Sequence, residues 1–356
     1  MTIPAWPEDV PTHPLLVIDY QLLKKREASE IERLWEAATK LGFWYLKNHE
    51  ADQLAQNMFD LGVEVMDLPL EEKMKYEQGN EGSSAGYKMA GGNAVAANGE
   101  PDTSEFLNVA KDDALAWPKL VRRAPPGTSY PEPALAKMDS VIVPFVKKSL
   151  EVNSLIMDIF NDKLGLRKGR LAEFHPDNEF SGGEARIIKN NATLSTEKIA
   201  IGSHTDFGSL SFLHNRLGGL QVLPPGSETW QYVKPLEGHA ICNIGDALSI
   251  FSGGILRSNL HRVMPPPSTQ ANNVRWSLVF FSRPSNSAVL RALTEESDII
   301  AKAVAAAQAG ADGKKFDTGS TAGEWFARRI RNQRIANRTG PETWMASRGT
   351  ERIEVV

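Results

Sequence analysis

The sequence lacks the features of small disulfide-rich, membrane-spanning or nucleic-acid-binding proteins. Its 356 residues include one cysteine, Cys242, so no internal disulfide framework can form. Lysine and arginine together number 40 against 44 for aspartate and glutamate, and this net charge of -4 gives no basic surface for nucleic acid. The most apolar stretch, 141–160, is interrupted by Lys147, Lys148 and Glu151, so no transmembrane helix is predicted.

The amino end and the composition favour a cytoplasmic protein. Residues 1–8 lack a basic segment followed by an apolar one, so no secretory signal is predicted. Hydrophobic residues make up 41% and charged residues 24% of the chain, which suits a large buried core. Cys242 has the apolar neighbours Ala240, Ile241 and Ile244 and is predicted to be an ordinary buried thiol. We expect a monomer or homodimer that binds neither nucleic acid nor membrane.

The spacing of apolar residues divides the chain into three regions, 1–177, 178–295 and 296–356. The first shows helical periodicity over 28–41, 51–66 and 132–164, and its Gly-, Ala- and Asn-rich segment 78–103 is predicted to be a mobile lid over a ligand. The second contains short β runs separated by turn signals. The third is predicted to be helical, strongly basic over 322–337, and packed on the second.

The β runs of the middle region predict the fold class. Short strands at regular spacing, separated by Gly-Gly, Pro-Pro and Gly-Asp, are typical of a jelly roll, whose interior can enclose a ligand. We therefore predict an α+β fold with a double-stranded β-helix (jelly-roll) core flanked by helices. The predicted strands are 185–189, 199–203, 210–214, 220–223, 230–234, 240–244, 248–251, 261–264 and 274–282.

A His-x-Asp motif in the middle region suggests a metal site. His204 and Asp206 are two residues apart, so on an extended strand both side chains point to the same face and Thr205 points to the other. If His261 lies on a strand beside them, two imidazoles and one carboxylate meet. This facial set is expected for non-haem Fe(II) with open coordination positions.

A second pair at the same spacing suggests a carboxylate site. Arg275 and Ser277 share a face of the last predicted strand, and a guanidinium beside a hydroxyl suits the far carboxylate of a dicarboxylic acid. 2-Oxoglutarate is such an acid.

Several further segments carry a family resemblance over most of the chain. They include Gly42–His49, Asp67–Lys73, Gly218–Val222, Asn243–Asp246 and His261–Val263. With the two pairs above, the sequence resembles the 2-oxoglutarate/Fe(II)-dependent dioxygenase superfamily, in the branch that contains isopenicillin N synthase and fungal oxygenases of secondary metabolism. The resemblance implies an enzyme that uses Fe(II), 2-oxoglutarate and O2, oxidises a small organic metabolite by hydroxylation, desaturation or oxidative rearrangement, and releases succinate and CO2.

One position departs from the family pattern. Relatives often carry a tyrosine that helps to hold 2-oxoglutarate four residues after the arginine of the strand before the metal motif, whereas this chain has Asn190 there, after Arg186. Its amide can donate to a carboxylate, so Asn190 is a candidate for cosubstrate binding, for substrate contact, or for a structural role at a strand end.

The resemblance also places substrate-contacting candidates at the barrel mouth. Core packing is the alternative for each of them, above all for Phe281. They are Tyr87, Met89, Arg186, Phe207, Leu220, Phe281 and Arg283.

Two other functions remain open from the sequence. An oxidase of the isopenicillin N synthase or aminocyclopropane carboxylate oxidase type keeps the metal triad without using 2-oxoglutarate, and there Arg275 and Ser277 would bind the substrate's own carboxylate. A catalytically inactive binding protein on the same fold is the second, although the complete ligand set argues against it.

Overall fold

A computed structural model gives the fold of residues 4–122, 130–193, 198–309 and 316–353. The strands are β1 Val17–Asp19, β2 Phe43–Lys47, β3 Gly86–Lys88, β4 Ser104–Ala110, β5 Glu184–Asn190, β6 Ile201–His204, β7 Leu210–Asn215, β8 Leu220–Val222, β9 Gln231–Tyr232, β10 His239–Ile244, β11 His261–Val263, β12 Arg275–Ser282, β13 Val289–Arg291 and β14 Asp317–Thr321. The helices are α1 Tyr20–Lys24, α2 Ala28–Lys40, α3 Asp52–Met66, α4 Leu70–Met74, α5 Lys111–Ala116, α6 Glu132–Ala136, α7 Val143–Lys163, α8 Arg170–Glu173, α9 Asp246–Phe251, α10 Asp298–Ala309, α11 Ala322–Gln333 and α12 Pro341–Ser347.

Two sheets form the jelly-roll core. The larger has the order β1-β2-β10-β7-β12-β5-β4-β3, and the smaller has the order β6-β11-β8-β9. Strand β12 lies inside the larger sheet, antiparallel to both β5 and β7, and sets Arg275 opposite Asn190. Side chains of both sheets pack together at one side of the core, where Phe43 and Ile241 meet Leu220 and Val222. The predicted jelly roll with flanking helices is confirmed by this architecture.

Alternation along the strands separates the two faces of the larger sheet. On β12, Phe280 points outward into the core formed with helices α3 and α7, whereas Val279 and Phe281 point into the barrel. The outer core is mainly aliphatic and aromatic, with Phe145, Ile156 and other residues of α7 buried in it. Strands β1 to β4, from the first 177 residues, extend the same sheet, so the amino-terminal region helps to build the barrel wall.

Three expectations about elements are wrong in the structure. The helix expected over 132–164 is divided into α6, a π-helical turn Met138–Ile142 and α7, whose second residue is Pro144; proline fits the first turn of a helix and not its interior. Residues 248–251, expected as a strand, belong to helix α9. A short apolar run cannot distinguish a buried strand from a buried helical turn by periodicity alone.

The third correction concerns segment 78–103, expected to be a loop and not part of the core; its role as a lid over a ligand stays a prediction. It includes β3 and buried side chains such as Tyr87 and Val95, and the carboxyl-terminal region fastens it: Arg334 Nε donates to Asn80 Oδ1 (2.8 Å) and Asn337 Nδ2 to the Asn80 carbonyl (2.7 Å). Its glycines supply left-handed backbone conformations for close turns, as at Gly86, where a Cβ would lie 2.4 Å from the Tyr76 carbonyl oxygen.

Two expectations about burial and membranes can be compared with the structure. Cys242 is buried, as predicted. None of the helices in the described ranges combines the length and the apolar character needed to cross a bilayer.

Candidate metal centre

Neighbouring strands bring the three predicted metal ligands together. His204 is the last residue of β6, Asp206 follows it, and the register of β11 sets His261 directly opposite His204. The Nε2 atoms of the two histidines each lie 3.7 Å from Asp206 Oδ1. One ligand atom of each side chain lies within 4.8 Å of the other two, and within the described ranges this is the group of this kind that could hold a metal ion.

Hydrogen bonds on the far side of each group orient these ligand atoms. The Nδ1 atoms of His204 and His261 lie 2.8 Å and 3.1 Å from the carbonyl oxygens of Gly202 and Asn259, which fixes the tautomer that leaves Nε2 with a free lone pair. Asp206 Oδ2 accepts hydrogen bonds from Ser211 Oγ and Asn243 Nδ2, the latter at 2.7 Å, and Oδ1 remains for a metal. The donor set therefore fits a divalent transition metal.

The protonation states of the cluster also suit metal binding. Burial, helped by the neighbouring His204, lowers the pKa of His261 to about 4, so its imidazole is neutral at pH 7. Burial alone would raise the pKa of Asp206, but His261, His204 and the hydrogen bond from Ser211 outweigh it and hold that pKa well below its usual range. A neutral imidazole and an ionised carboxylate are the forms that coordinate metals.

Thr205, between the two ligands, faces away from the cluster and is fixed by hydrogen bonds to the carboxyl-terminal part of the chain. Its Oγ1 donates to Glu351 Oε2 (2.6 Å), and its carbonyl oxygen accepts from Arg329 Nη2 (2.9 Å). Arg329 is fully buried and paired with Asp246, whose backbone N–H donates to the Asp206 carbonyl (2.8 Å). Helix α11 and the carboxyl-terminal turn thus fix the backbone that carries His204 and Asp206.

Arg275 forms a cationic site at another point of the barrel interior. It is 3% exposed; its Nε donates to the Gly218 carbonyl (2.6 Å) and its Nη1 to Ser277 Oγ (2.6 Å). Burial lowers its pKa to about 10, so it stays charged at pH 7, and it pairs with no carboxylate among the described residues. A buried charge without a counterion is costly, so this position favours an anionic ligand.

The Gly218-Gly219 pair makes room for the Arg275 side chain. Gly219 has φ +116°, and a Cβ there would lie 3.0 Å from Arg275 Nε and 2.6 Å from the Met264 carbonyl oxygen. A larger residue at this position would displace the guanidinium.

Asn190 is the cross-strand neighbour of Arg275 but does not line the cavity. Its Nδ2 donates to Ser104 Oγ (2.6 Å), and its buried Oδ1 has no hydrogen-bond partner among the described residues. Asn190 therefore makes a structural contact with Ser104 at the end of β5. Its role in cosubstrate binding stays a prediction.

A cavity of about 130 Å³ joins the metal cluster to Arg275. Five of the substrate candidates line it, namely Arg186, Phe207, Leu220, Phe281 and Arg283.

Tyr87 and Met89 do not line the cavity, contrary to expectation. Tyr87 is 1% exposed, belongs to the core beneath the helices, and donates its hydroxyl to Glu105 Oε2 (2.7 Å). Met89 is 37% exposed. Alternation on β3 places Lys88 on the opposite face from Tyr87, where its ammonium lies 5.0 Å from the centre of the Phe106 ring and pairs with Asp102. The expected placement of Tyr87 at the barrel mouth is therefore wrong.

Several lining residues were not identified from the sequence. Ser211 and Asn243 occupy inward positions of β7 and β10, and alternation along these strands was the available signal. No local pattern indicates the contribution of the carboxyl-terminal helices, because it depends on a contact between distant parts of the chain. The carboxyl-terminal residues that line the cavity are Ile330, Gln333, Trp344, Ser347 and Arg348.

Comparisons with known proteins agree with this geometry. The sequence matches the 2OG-Fe(II) oxygenase superfamily over residues 166–284 and the family described as non-haem dioxygenase in morphine synthesis N-terminal over 15–126. It is 29% identical to the 2-oxoglutarate-dependent dioxygenase frbH of Dothideomycetidae sp. (strain 11243), a match that covers 78% of this chain and 84% of that protein. It is 28% identical to the 2-oxoglutarate-dependent dioxygenase gloE of Glarea lozoyensis, over 76% of this chain and 79% of that one. The crystal structure of a full-length Neurospora crassa protein in complex with alpha-KG matches 93% of this chain and 99% of its own, with a TM-score of 0.70 and 22% identity.

Proposed function

We propose that this protein oxidises a small organic specialised metabolite. The chain belongs to the 2OG-Fe(II) oxygenase superfamily and is a 2-oxoglutarate/Fe(II)-dependent dioxygenase. The observation that carries the proposal is the convergence of His204, Asp206 and His261 beside the uncompensated charge of Arg275 in one cavity. The enzyme class is supported by the relatives frbH and gloE, which are 2-oxoglutarate-dependent dioxygenases. The reaction is a hydroxylation, a desaturation or an oxidative rearrangement.

We assign the metal to the Nε2 atoms of His204 and His261 and to Oδ1 of Asp206. Bound Fe(II), with 2-oxoglutarate and O2, supplies the oxidation of the substrate and the conversion of 2-oxoglutarate to succinate and CO2. The chain orients the ligands: the Gly202 and Asn259 carbonyls fix the two imidazoles, and Ser211 and Asn243 fix the carboxylate.

We assign Arg275 and Ser277 to the 5-carboxylate of 2-oxoglutarate. Arg275 Nε and Nη1 are engaged with Gly218 and Ser277, so Nη2 is the part of the guanidinium left for a carboxylate, and the Ser277 hydroxyl can donate beside it. The Asn190 amide lies at the same level of the sheet and has a second N–H beyond the one given to Ser104. We retain Asn190 as a candidate for the same carboxylate.

The substrate would bind on the metal side of the cavity. Phe281 lies opposite Ser211, which donates to the metal-binding carboxylate, so the Phe281 level of the barrel is next to the reacting centre. Phe207, which directly follows Asp206 in the sequence, also faces this space. These apolar groups position the substrate and exclude water, and Arg186, Leu220 and Arg283 complete the proposed contacts.

An anaerobic titration with Fe(II), with and without 2-oxoglutarate, tests the proposal. A weak visible metal-to-ligand charge-transfer absorption should appear only when both are present, because it requires chelation of the metal by the cosubstrate. The Asp206→Ala variant should lose the band and Arg275→Leu should need more 2-oxoglutarate to produce it. Iron binding with no effect of 2-oxoglutarate would favour the oxidase alternative, and no iron binding would favour the inactive binding protein.

We also propose that the protein works in the cytoplasm as a monomer or homodimer. The single buried cysteine and the lack of an apolar spanning helix in the described parts of the chain are compatible with this. Light scattering after size-exclusion chromatography gives the oligomeric state, and a tetramer or larger assembly would contradict it.

A further inference from the structure

We propose that Arg186 forms a subsite for a carboxylate group of the organic substrate, separate from the Arg275 site. This inference rests on the proposed function and narrows its substrate class to small organic acids with an apolar, preferably aromatic, body.

The Arg186 guanidinium is held in a fixed position at the cavity wall. Its Nε donates to Asn108 Oδ1 (2.7 Å) and its Nη2 to Glu184 Oε1 (2.7 Å). Its carbon Cζ lies 4.3 Å from the centre of the Phe106 ring and 5.0 Å from that of Phe281. Nη1 has no hydrogen-bond partner in the described parts of the chain, and the residue lines the cavity. A guanidinium ordered in this way loses little conformational freedom when it binds a planar anion.

The charges around Arg186 do not cancel. Glu184 is shared, since Arg283 also pairs with it, and two guanidinium groups therefore face one carboxylate. Burial would raise the pKa of Glu184, but the charges of Arg283 and Arg186 outweigh it and lower that pKa, so Glu184 is ionised. The two carboxylates that line the cavity do not offset the excess positive charge, because Asp206 is assigned to the metal and Asp102 pairs with Lys88. One positive charge remains for a ligand.

Arg186 and Arg275 face different ligands. Arg275 is anchored beside Gly218, whereas Arg186 is placed against Phe281, at the level of Ser211 and the metal-binding carboxylate. On the sheet, Arg186 lies opposite Val279, and Arg275 is four residues earlier on β12, about 13 Å along the strand. 2-Oxoglutarate bound between the metal and Arg275 would therefore leave Arg186 Nη1 available on the substrate side.

The surroundings of Arg186 indicate what the acid carries besides its carboxylate. Phe106 and Phe281 flank the guanidinium, Phe207 faces the same space, and Val95 and Ile330 add aliphatic surface. A flat apolar group can pack on these rings while its carboxylate reaches Nη1.

Matched acid and amide probes test the subsite without knowledge of the natural substrate. The probes are benzoate, phenylacetate and cinnamate, each paired with its neutral carboxamide. Each is titrated calorimetrically, at millimolar concentration and without oxygen, into full-length protein saturated with Fe(II) and 2-oxoglutarate, and the visible charge-transfer absorption is followed in parallel. We expect at least one acid to bind about ten-fold or more tightly than its amide, since a hydrogen bond to a charged group is lost in the amide.

Two variants locate the preference. Arg186→Gln removes the charge and should bring the acid-to-amide ratio close to one. Arg216→Gln is the matched control, because Arg216 is also an arginine on a phenylalanine ring, 4.8 Å from the centre of Phe59, but lies outside the cavity. The control should keep the wild-type ratio. If Arg186→Gln does not fold, the wild-type ratios still decide whether an acid is preferred.

The outcomes separate this inference from the proposed function. No charge-transfer absorption before any probe is added overturns the proposed function. A normal absorption with no acid preference, with no measurable binding of any acid, or with loss of the absorption as the acid displaces 2-oxoglutarate, overturns the subsite alone. An acid preference that survives in Arg186→Gln overturns the assignment to Arg186.

Discussion

At the scale of single residues, loss of a proposed metal ligand should affect Fe(II) binding and turnover more than loss of a residue that only orients a ligand. His204, Asp206 and His261 each provide one of three ligand atoms, whereas Ser211 only donates to the Asp206 oxygen that faces away from the metal. Direct ligands should therefore be indispensable. An orienting residue should only tune the site.

The first prediction compares these two kinds of residue. His204→Ala, Asp206→Ala and His261→Ala should each abolish turnover, and Asp206→Ala should also weaken Fe(II) binding most, because it removes the negative ligand. Ser211→Ala should weaken Fe(II) binding about 10–100-fold and keep measurable turnover. Anaerobic Fe(II) titration of metal-stripped protein gives the affinities. Near-wild-type turnover in any of the three ligand variants would contradict the triad.

The second prediction concerns the cosubstrate. Arg275→Leu should raise the KM for 2-oxoglutarate by an amount equivalent to about 1.5–3 kcal/mol, the contribution of a hydrogen bond to a charged group. Arg275→Lys should restore only part of it, because an ammonium cannot reproduce the guanidinium fork. Arg216→Leu, at an exposed arginine, is the control and should leave the KM unchanged. An unaltered KM in Arg275→Leu would remove the 5-carboxylate from this position.

Alternation along strands explains which residues could be placed from the sequence. His204 with Asp206, and Arg275 with Ser277, are two residues apart, and the structure turns both members of each pair to the same side. Tyr87 was misplaced because the Gly-rich sequence around it indicates a loop, whereas Tyr87 lies on β3 and packs into the core beneath the helices. Glu351 could not be identified from the sequence, because its role depends on a contact with Thr205, 146 residues earlier in the chain.

At the scale of elements, strands with strong β patterns were predicted within one or two residues, as for β5, β7, β10 and β12. Strands β3 and β4 were missed, since a Gly-rich segment beside them suggested a loop. β4 pairs with β5 and β3 pairs with β4, so both strands depend on the sheet and not on local preference. The contribution of helices α11 and α12 to the cavity is likewise a tertiary effect.

The third prediction concerns the carboxyl-terminal turn, Thr350–Ile353. Glu351→Ala removes the closer of the two acceptors of Thr205 and leaves the buried Arg329 with one fewer anion, so the backbone that carries His204 and Asp206 should lose its fixed position. We expect weaker Fe(II) binding and a lower kcat. Glu351→Gln keeps an acceptor for Thr205 and should recover part of the affinity.

A control separates this positioning role from a general loss of stability. Glu342→Gln changes an exposed carboxylate on the neighbouring helix α12 and should leave the Fe(II) affinity at the wild-type value. Thermal unfolding of each variant reports the stability separately. If Glu351→Ala binds Fe(II) as tightly as the wild type, Glu351 does not position the metal strand.

At the scale of the whole molecule, the protein buries histidines that must stay neutral. His214 lies edge-on to Phe145, Phe212 and His49 and has no hydrogen-bond partner for its buried Nε2 among the described residues. Burial, with a smaller effect of His49, lowers the pKa of His214 to about 3. Burial also lowers the pKa of His175 to about 4, although its Nε2 lies 2.7 Å from Ser209 Oγ.

These histidines should make the fold sensitive to acid. An unfolded histidine has a pKa near 6.5, so between about pH 6.5 and pH 3 the unfolded chain binds a proton that folded His214 does not. The free energy of unfolding should therefore be highest above about pH 6.5 and fall as the pH decreases, with a slope of up to about 1.4 kcal/mol per pH unit from His214. His214→Phe removes this titration and fits the aromatic surroundings, so its stability should change less between pH 6 and pH 5, and should be close to wild type or higher at pH 7.5, because no hydrogen bond of the ring is lost. Urea unfolding at the three pH values measures the difference. An equal slope in the wild type and in His214→Phe would show that His214 does not contribute to acid sensitivity.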